Sequence, residues 1–202
     1  MQSRADENLD QTFEGLYEVL SSERFLQRRG LGNELPFFIS AYHPSLEPRV
    51  ETLVLALATR LSNQGIAVLS LNLYDLVVEL FKSKNRWDKH LASESKTQKE
   101  NFLKTMQNVT DAEAHLAPLI ATKLTGSPCQ VLLLTGVGLV YPYLRSHTVL
   151  DNLQKVTKQT PTVLFFPGDY SFVGGKGSYL KLFGSLPDDR YYRAFNIADF
   201  RA

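Results

Sequence analysis

His43, Asp75, Thr135 and Asp169 are the residues whose types and placement could do chemistry together. Each follows a short apolar run that reads as a strand, so all four fall at strand carboxyl ends. If those strands are neighbours, the four converge on one rim, where a histidine and two carboxylates could hold a metal ion or move protons. The same residues also have plain structural readings. Asp75 can cap the helix that follows it, Asp169 suits a turn after Pro167-Gly168, and His43-Pro44 can be loop.

Two glycine-rich turns invite a nucleotide reading at that rim. A P-loop needs a Lys and then a Ser or Thr after its last glycine, because backbone amides cradle the phosphates while the hydroxyl holds Mg²⁺. Here Gly175-Lys176 is followed by Gly177, and Tyr170 stands where the first glycine belongs. Gly136-Val137-Gly138 follows a strand and opens a helical segment, as a dinucleotide fingerprint does, but Tyr141 occupies its third glycine position. Both motifs fail. A ligand at this rim would touch His43, Asp75, Thr135, Gly136, Gly138, Gly168 and Asp169; no catalytic residue, metal or cofactor is expected. No Ser–His–acid order, HExxH or cysteine nucleophile with a partner can be assembled from the four histidines and one cysteine.

Two further stretches suit partners rather than substrates. Residues 82–108 are polar and Lys-rich, and Lys82, Lys84, Arg86, Lys89, Lys96 and Lys99 surround the single tryptophan, Trp87. Lysines neutralise phosphates and an aromatic ring stacks on a base, which would suit nucleic acid. Asp88, Glu94 and Glu100 interrupt the run, as on a solvated face. A partner-facing Trp87 is the other reading, since Trp and Arg are enriched at interface hot spots. In the tail, Tyr191, Tyr192 and Arg193 either close the core or dock a partner. Arg145, after the TGVG turn, either orders a loop or holds a partner's carboxylate.

The elements that must position these residues centre on 130–170. Val131–Leu134 and Thr162–Phe166 read as buried strands joined through a helical segment that Pro142 opens, the pattern of a βαβ unit. Each ends in a glycine-containing turn, TGVG and PGDY. Pro36–Ala41 and Ile66–Leu73 are the earlier strand candidates. Leu9, Phe13, Leu16, Tyr17 and Leu20 mark an opening helix, and Gly30 and Gly32 break the pattern that follows it. A second helix carries Val50, Leu53, Val54, Leu57 and Leu61, with Pro48 in its first turn and Gly65 at its end. A third carries Leu76, Val77, Leu80 and Phe81. Residues 82–108 form an exposed connection or insertion, helical near Phe102, Leu103 and Met106. Thr110 and Glu113 suggest a capping box, with Pro118 kinking the next helix or delaying its start. Gly174, Gly175 and Gly177 imply a loop, Tyr179–Phe183 a short helix, and Ala194–Ile197 a last strand.

This alternation predicts a three-layer α/β fold with a mainly parallel sheet of about five strands. In architecture it is P-loop-NTPase-like, without a Walker A motif. The 202 residues suit one domain, 1–202, large enough to bury a core without staples. With 44% hydrophobic and 21% charged residues the chain is globular, and a net charge of +1 gives no bulk attraction to DNA or membranes. One cysteine, Cys129, excludes an internal disulfide. A polar N-terminus and short apolar runs point to the cytoplasm.

Four separated blocks carry a family resemblance: GLGNELPFFISAYHP, LLLTGVGLVYPYLRSH, VLFFPGDY and LKLFGSLPDDRYYRAF. In this order they resemble the BrxB family, a component of the bacterial BREX bacteriophage-exclusion systems, from about Gly30 to Phe195. The resemblance implies a biological role rather than a reaction: a non-catalytic adaptor in a multiprotein defence complex. Its implied partner is the alkaline-phosphatase-like component, PglZ, while the large ATPase and the adenine methyltransferase of such systems supply the chemistry. The alternative is a nucleotide- or metal-binding enzyme or sensor that uses the strand-end rim.

Overall fold

The computed structural model describes residues 2–29, 35–174, 176–187 and 191–201. Gly30, Gly32 and Gly175 lie outside them. The chain opens with helix α1 (Gln2–Ser21) and a short α2 (Glu23–Leu26), then strand β1 (Phe37–Tyr42) and helix α3 (Glu47–Asn63). Strand β2 (Val68–Asn72) leads into α4 (Leu73–Ser83), α5 (Trp87–Glu94) and α6 (Lys99–Val109). A π-helical turn (Ala112–Leu116) precedes α7 (Ala117–Gly126), strand β3 (Val131–Thr135) and α8 (Ser146–Val156). Strands β4 (Thr162–Val173), β5 (Gly177–Leu182), β6 (Leu186–Pro187) and β7 (Phe195–Asn196) complete the order.

Five strands run parallel in the order β2-β3-β4-β1-β7. This agrees with the expected mainly parallel α/β sheet and is compatible with a P-loop-like architecture. The connection from β1 to α3, His43–Leu46, contains no glycine with which to cradle a phosphate.

Strand alternation sorts the core into two layers. Phe37, Ile39, Leu132, Leu134, Leu164 and Phe166 face one way and pack with α4, the π turn, α7 and α8. Phe38, Val131, Leu133, Val163 and Phe165 face the other way and pack with α1 and α3. A strand buried on both faces reads as a near-continuous apolar run, as Val131–Leu134 of β3 and Val163–Phe166 of β4 do. That is why they stand out in the sequence.

Four expectations need correction. Pro167-Gly168-Asp169-Tyr170 is not a turn: β4 runs through it to Val173 and pairs antiparallel with β5. Tyr179–Phe183 is not helical, because Ser178, Leu180 and Leu182 are buried in alternation along β5. Thr110 ends α6 instead of capping the next helix; its hydroxyl donates to the Met106 carbonyl at 2.8 Å. The cap is Asp111, whose carboxylate accepts from the amides of Glu113 and Ala114 at 3.0 and 2.7 Å. Residues 82–108 stay largely exposed and are helical at Phe102–Met106 as expected, but they also hold α5, which packs on the core through Trp87 and was not legible from its polar sequence.

The α1/α3 side is tied to the last residues through aromatic packing. Phe38 is fully buried, with ring centroids 5.1 Å from Phe25, 6.1 Å from Phe195 and 5.6 Å from Phe200. Phe38→Ala opens a cavity bounded by rings from three separate elements and should cost about 3–5 kcal/mol in urea unfolding. Leu55→Ala, at a position 64% exposed on α3, should stay within about 0.5 kcal/mol of the parent.

Candidate functional site

Parallel pairing carries the predicted rim residues to one end of the sheet and spreads them along it. His43 follows β1 and Asp75 lies in the first turn of α4 after β2, with β3 and β4 between those strands. Three strand spacings separate β1 from β2, roughly 14 Å. The His43 imidazole is exposed and its Nδ1 lies 2.8 Å from the Ser45 hydroxyl, at the cap of a 3-10 turn. Asp75 does not cap α4. That cap is Asn72, whose side-chain oxygen accepts from the Tyr74 amide at 2.8 Å. Asp169 is exposed in the antiparallel half of β4, opposite Lys181. Thr135 is buried at the end of β3, opposite Asn72. Among the described residues no group of three or more His, Cys, Asp or Glu could hold a metal ion.

Two further polar contacts at this end join residues the sequence did not single out. Tyr42, the last residue of β1, donates to Glu47 Oε2 at 2.6 Å, and Asn72 Nδ2 donates to Glu51 Oε1 at 2.7 Å. Glu47 and Glu51 are one turn apart at the start of α3. Burial raises the Glu47 pKa, opposed by the Tyr42 hydrogen bond and aided by the nearby Glu51 charge. Burial, then Glu47, pushes the Tyr42 hydroxyl far above the ordinary phenol range. The pairs tie the ends of β1 and β2 to one helix.

The glycines of the rim meet protein atoms. Gly136 has φ +79°, and a Cβ there would collide with Asn72 Oδ1. At Gly138 a Cβ would lie 2.9 Å from the Phe183 ring and 3.2 Å from Pro167. At Gly168 it would meet the Lys181 carbonyl oxygen, where β5 crosses close to β4. The Phe183 ring also stands edge-on to Tyr141 at 6.1 Å. The glycines after β3 are therefore walled by Asn72 and by Phe183, just after β5.

To one side lies a groove of about 580 Å³ between α4, α5, α6 and residues 139–143, lined by Tyr74, Phe81, Trp87, His90, Leu91 and Phe102 among others. Its large apolar side chains remain exposed at the mouth: Tyr74 at 43%, Leu91 at 49% and Leu139 at 44%. The His90 ring lies between Phe81 and Phe102, 4.3 Å from each, with Nε2 2.7 Å from Met106 Sδ. Trp87 is partly buried, edge-on to Phe81 at 6.4 Å. Of the other residues expected to face a partner, Arg145, Tyr191 and Arg193 are exposed, whereas Tyr192 is 3% exposed and bridges to Ser178. Phe172, 66% exposed on the β4–β5 hairpin, was missed. An isolated exposed ring has no periodic signal in sequence.

The family model described as "BREX protein BrxB" matches residues 69–197. A "BREX protein BrxB" of Bacillus cereus (strain H3081.97) is 33% identical over 199 residues, 97% of this chain and 98% of that protein. The chain belongs to the BrxB family. A second BrxB, from Escherichia coli O9:H4 (strain HS), is 27% identical over 178 residues, 88% of this chain and 86% of that protein. No solved structure matches. The span matched by the BrxB model begins in β2 and ends beyond β7, so it includes Asn72, the rim glycines, the groove and the hairpin, but not β1, His43 or α3. No helix among the described residues is long and apolar enough to cross a membrane.

Two outcomes follow from this geometry. Gly136→Ala combines a left-handed backbone with a clash against Asn72 and should destabilise the protein by about 1–3 kcal/mol in chemical denaturation. Gly136→Ala with Asn72→Ala should cost less than the sum of the two single changes. Additive costs would show that the Asn72 contact is not the reason for the glycine. His90 is the second case: burial lowers its pKa, with Glu94 opposing. The unfolded chain then binds the proton more readily, so stability is complete above about pH 6.5 and is lost as the pH falls through the lower folded value. The fall in Tm from about pH 7.5 to about pH 5.5 should be smaller for His90→Leu than for the parent protein. Equal falls would remove His90 as the source.

Proposed function

We propose that this BrxB-family protein is a non-catalytic adaptor of a BREX phage-defence complex and that it docks onto the alkaline-phosphatase-like component, PglZ. One observation carries the reading. At the carboxyl end of the sheet, where open parallel sheets hold their ligands, Gly136 and Gly138 lie against the protein's own Asn72 and Phe183. Ligand-binding glycines leave room for a phosphate or a sugar; Gly136 and Gly138 leave room for side chains. Large apolar and aromatic groups are exposed nearby, which is the surface chemistry of protein association. The expected uses of His43, Asp75, Thr135 and Asp169 as a shared ligand set draw no support from their spacing along the sheet.

The test is co-purification of this chain with the alkaline-phosphatase-like component of its own system, followed by titration calorimetry of the purified pair. A stoichiometric complex with saturable heat is expected. Absence of binding at tens of micromolar, about −6 kcal/mol or weaker, would remove that component as the direct partner.

A further inference from the structure

The groove between α4, α5, α6 and residues 139–143 is a built surface, with a floor that is packed and a mouth that is not. Phe81 is buried to 1% at its base, while Leu91, Leu139 and Tyr74 are exposed by 40–50% at its edge. A volume of about 580 Å³ is that of a pocket filling with several side chains or a small ligand. Its surroundings are basic on balance. Residues 82–108 carry seven Lys and Arg against three Asp and Glu, a surplus of four positive charges in a chain whose net charge is +1. Lys82, Arg86, Lys89, Lys96, Lys99 and Lys104 are all exposed. Lys99 lines the groove itself, as does one carboxylate, Glu94.

We infer that this groove docks an amphipathic helix of a partner protein, with apolar anchors along one face and acidic residues flanking them. Apolar side chains at i, i+3 or i+4 and i+7 are what such grooves receive. At 1.5 Å per residue, the 8 residues of α5 and the 11 of α6 make walls roughly 12 and 16 Å long, enough for two to three turns of a partner helix. The basic margin sets the sign of the flanks, since complementary charge selects partners and speeds encounter. Nucleic acid would also answer to the lysines, but it needs aromatic faces to stack on. His90 has both faces covered by Phe81 and Phe102, and Trp87 has the Lys82 ammonium 5.8 Å from its ring centre. At the mouth Tyr74 is one exposed ring beside the aliphatic Leu91 and Leu139, too few aromatic faces for successive bases. The identity of the partner rests on the adaptor reading; the chemistry of the groove does not.

Trp87 is the only tryptophan and it lines the groove, so its emission reports occupancy. The probe is a tryptophan-free helical peptide of about 16 residues, with Leu at i, i+3, i+4 and i+7 and Glu elsewhere; the comparator carries Lys in place of Glu. The full chain should bind the Glu peptide saturably with a change in Trp87 emission, and the Lys peptide at least about tenfold more weakly. Leu91→Glu and Leu139→Glu, both at exposed positions, should each weaken binding by about tenfold or more. Leu55→Glu, exposed on α3 across the sheet, should bind as the parent does. No saturable change up to about 100 μM, equal affinity for both peptides, or undiminished binding by both groove variants would overturn the proposal. So would a Leu91-dependent response to oligo-dT in place of the peptide, or a dimer in light scattering that Leu91→Glu makes monomeric. The Leu91→Glu chain is then offered to the alkaline-phosphatase-like component. An undiminished complex would overturn the groove as the docking face and leave the adaptor reading standing. Peptide binding without any complex would uphold the groove and remove that partner.

Discussion

The hydrogen bonding of β4 to three other strands is the constraint on which the molecule depends. Its first half lies between β3 and β1, parallel to both, and its second half turns to pair antiparallel with β5. Tyr42 opposite Pro167 marks the end of the parallel register with β1. Pro167 has no amide hydrogen to offer a further ladder, and such a residue belongs where pairing stops or changes. Its carbonyl accepts instead from the Phe183 amide at 2.8 Å. Gly168, next in line, has no side chain to obstruct the Lys181 carbonyl of β5. The Pro-Gly pair is thus a point of handover from one sheet to another.

That handover decides the character of the ligand end. Because β4 continues beyond the parallel sheet, the chain after β5 folds back over the strand ends and sets Phe183 against Gly138 and Tyr141. On the β2 side Asn72 performs three tasks at once: it caps α4, bonds Glu51 and abuts Gly136. Gly136 and Gly138, which in a nucleotide-binding turn would face phosphate, here face the protein's own side chains. Its exposed apolar surface lies to one side, in the groove built by α5 and α6.

Local pattern explains which parts of this were legible. The strands β1, β3 and the first half of β4 were found because burial on both faces demands apolar runs, β2 from its short apolar run although it is a half-buried edge strand, and α3 because its apolar residues recur at helical spacing. Helix α5 was not, since its sequence is charged and its burial rests on Trp87 and His90 meeting Phe81. Strand β5 was misread because Tyr179, Leu180, Leu182 and Phe183 fit a helical face as well as an alternating strand over so short a run. Pairing with β4 settles the choice in favour of the strand. Asp75 and Thr110 were each plausible caps, and in each case a neighbour, Asn72 or Asp111, has the side-chain geometry that closes the turn.

By itself the sequence determined the class of the fold, the buried strands and the family, since each is written in local runs of residues and in the order of recognisable blocks. It also determined that no Walker A motif is present. Strand order, the walling of the rim glycines and the existence of the groove were decided only in the tertiary structure. They arise from side chains that meet only when the helices and strands pack: Asn72 with Gly136, Gly138 with Phe183, Phe81 with Trp87 and Phe102 with His90. A glycine's sequence context says that a side chain is unwelcome there. Only the packed structure says whether a phosphate or a phenylalanine takes its place.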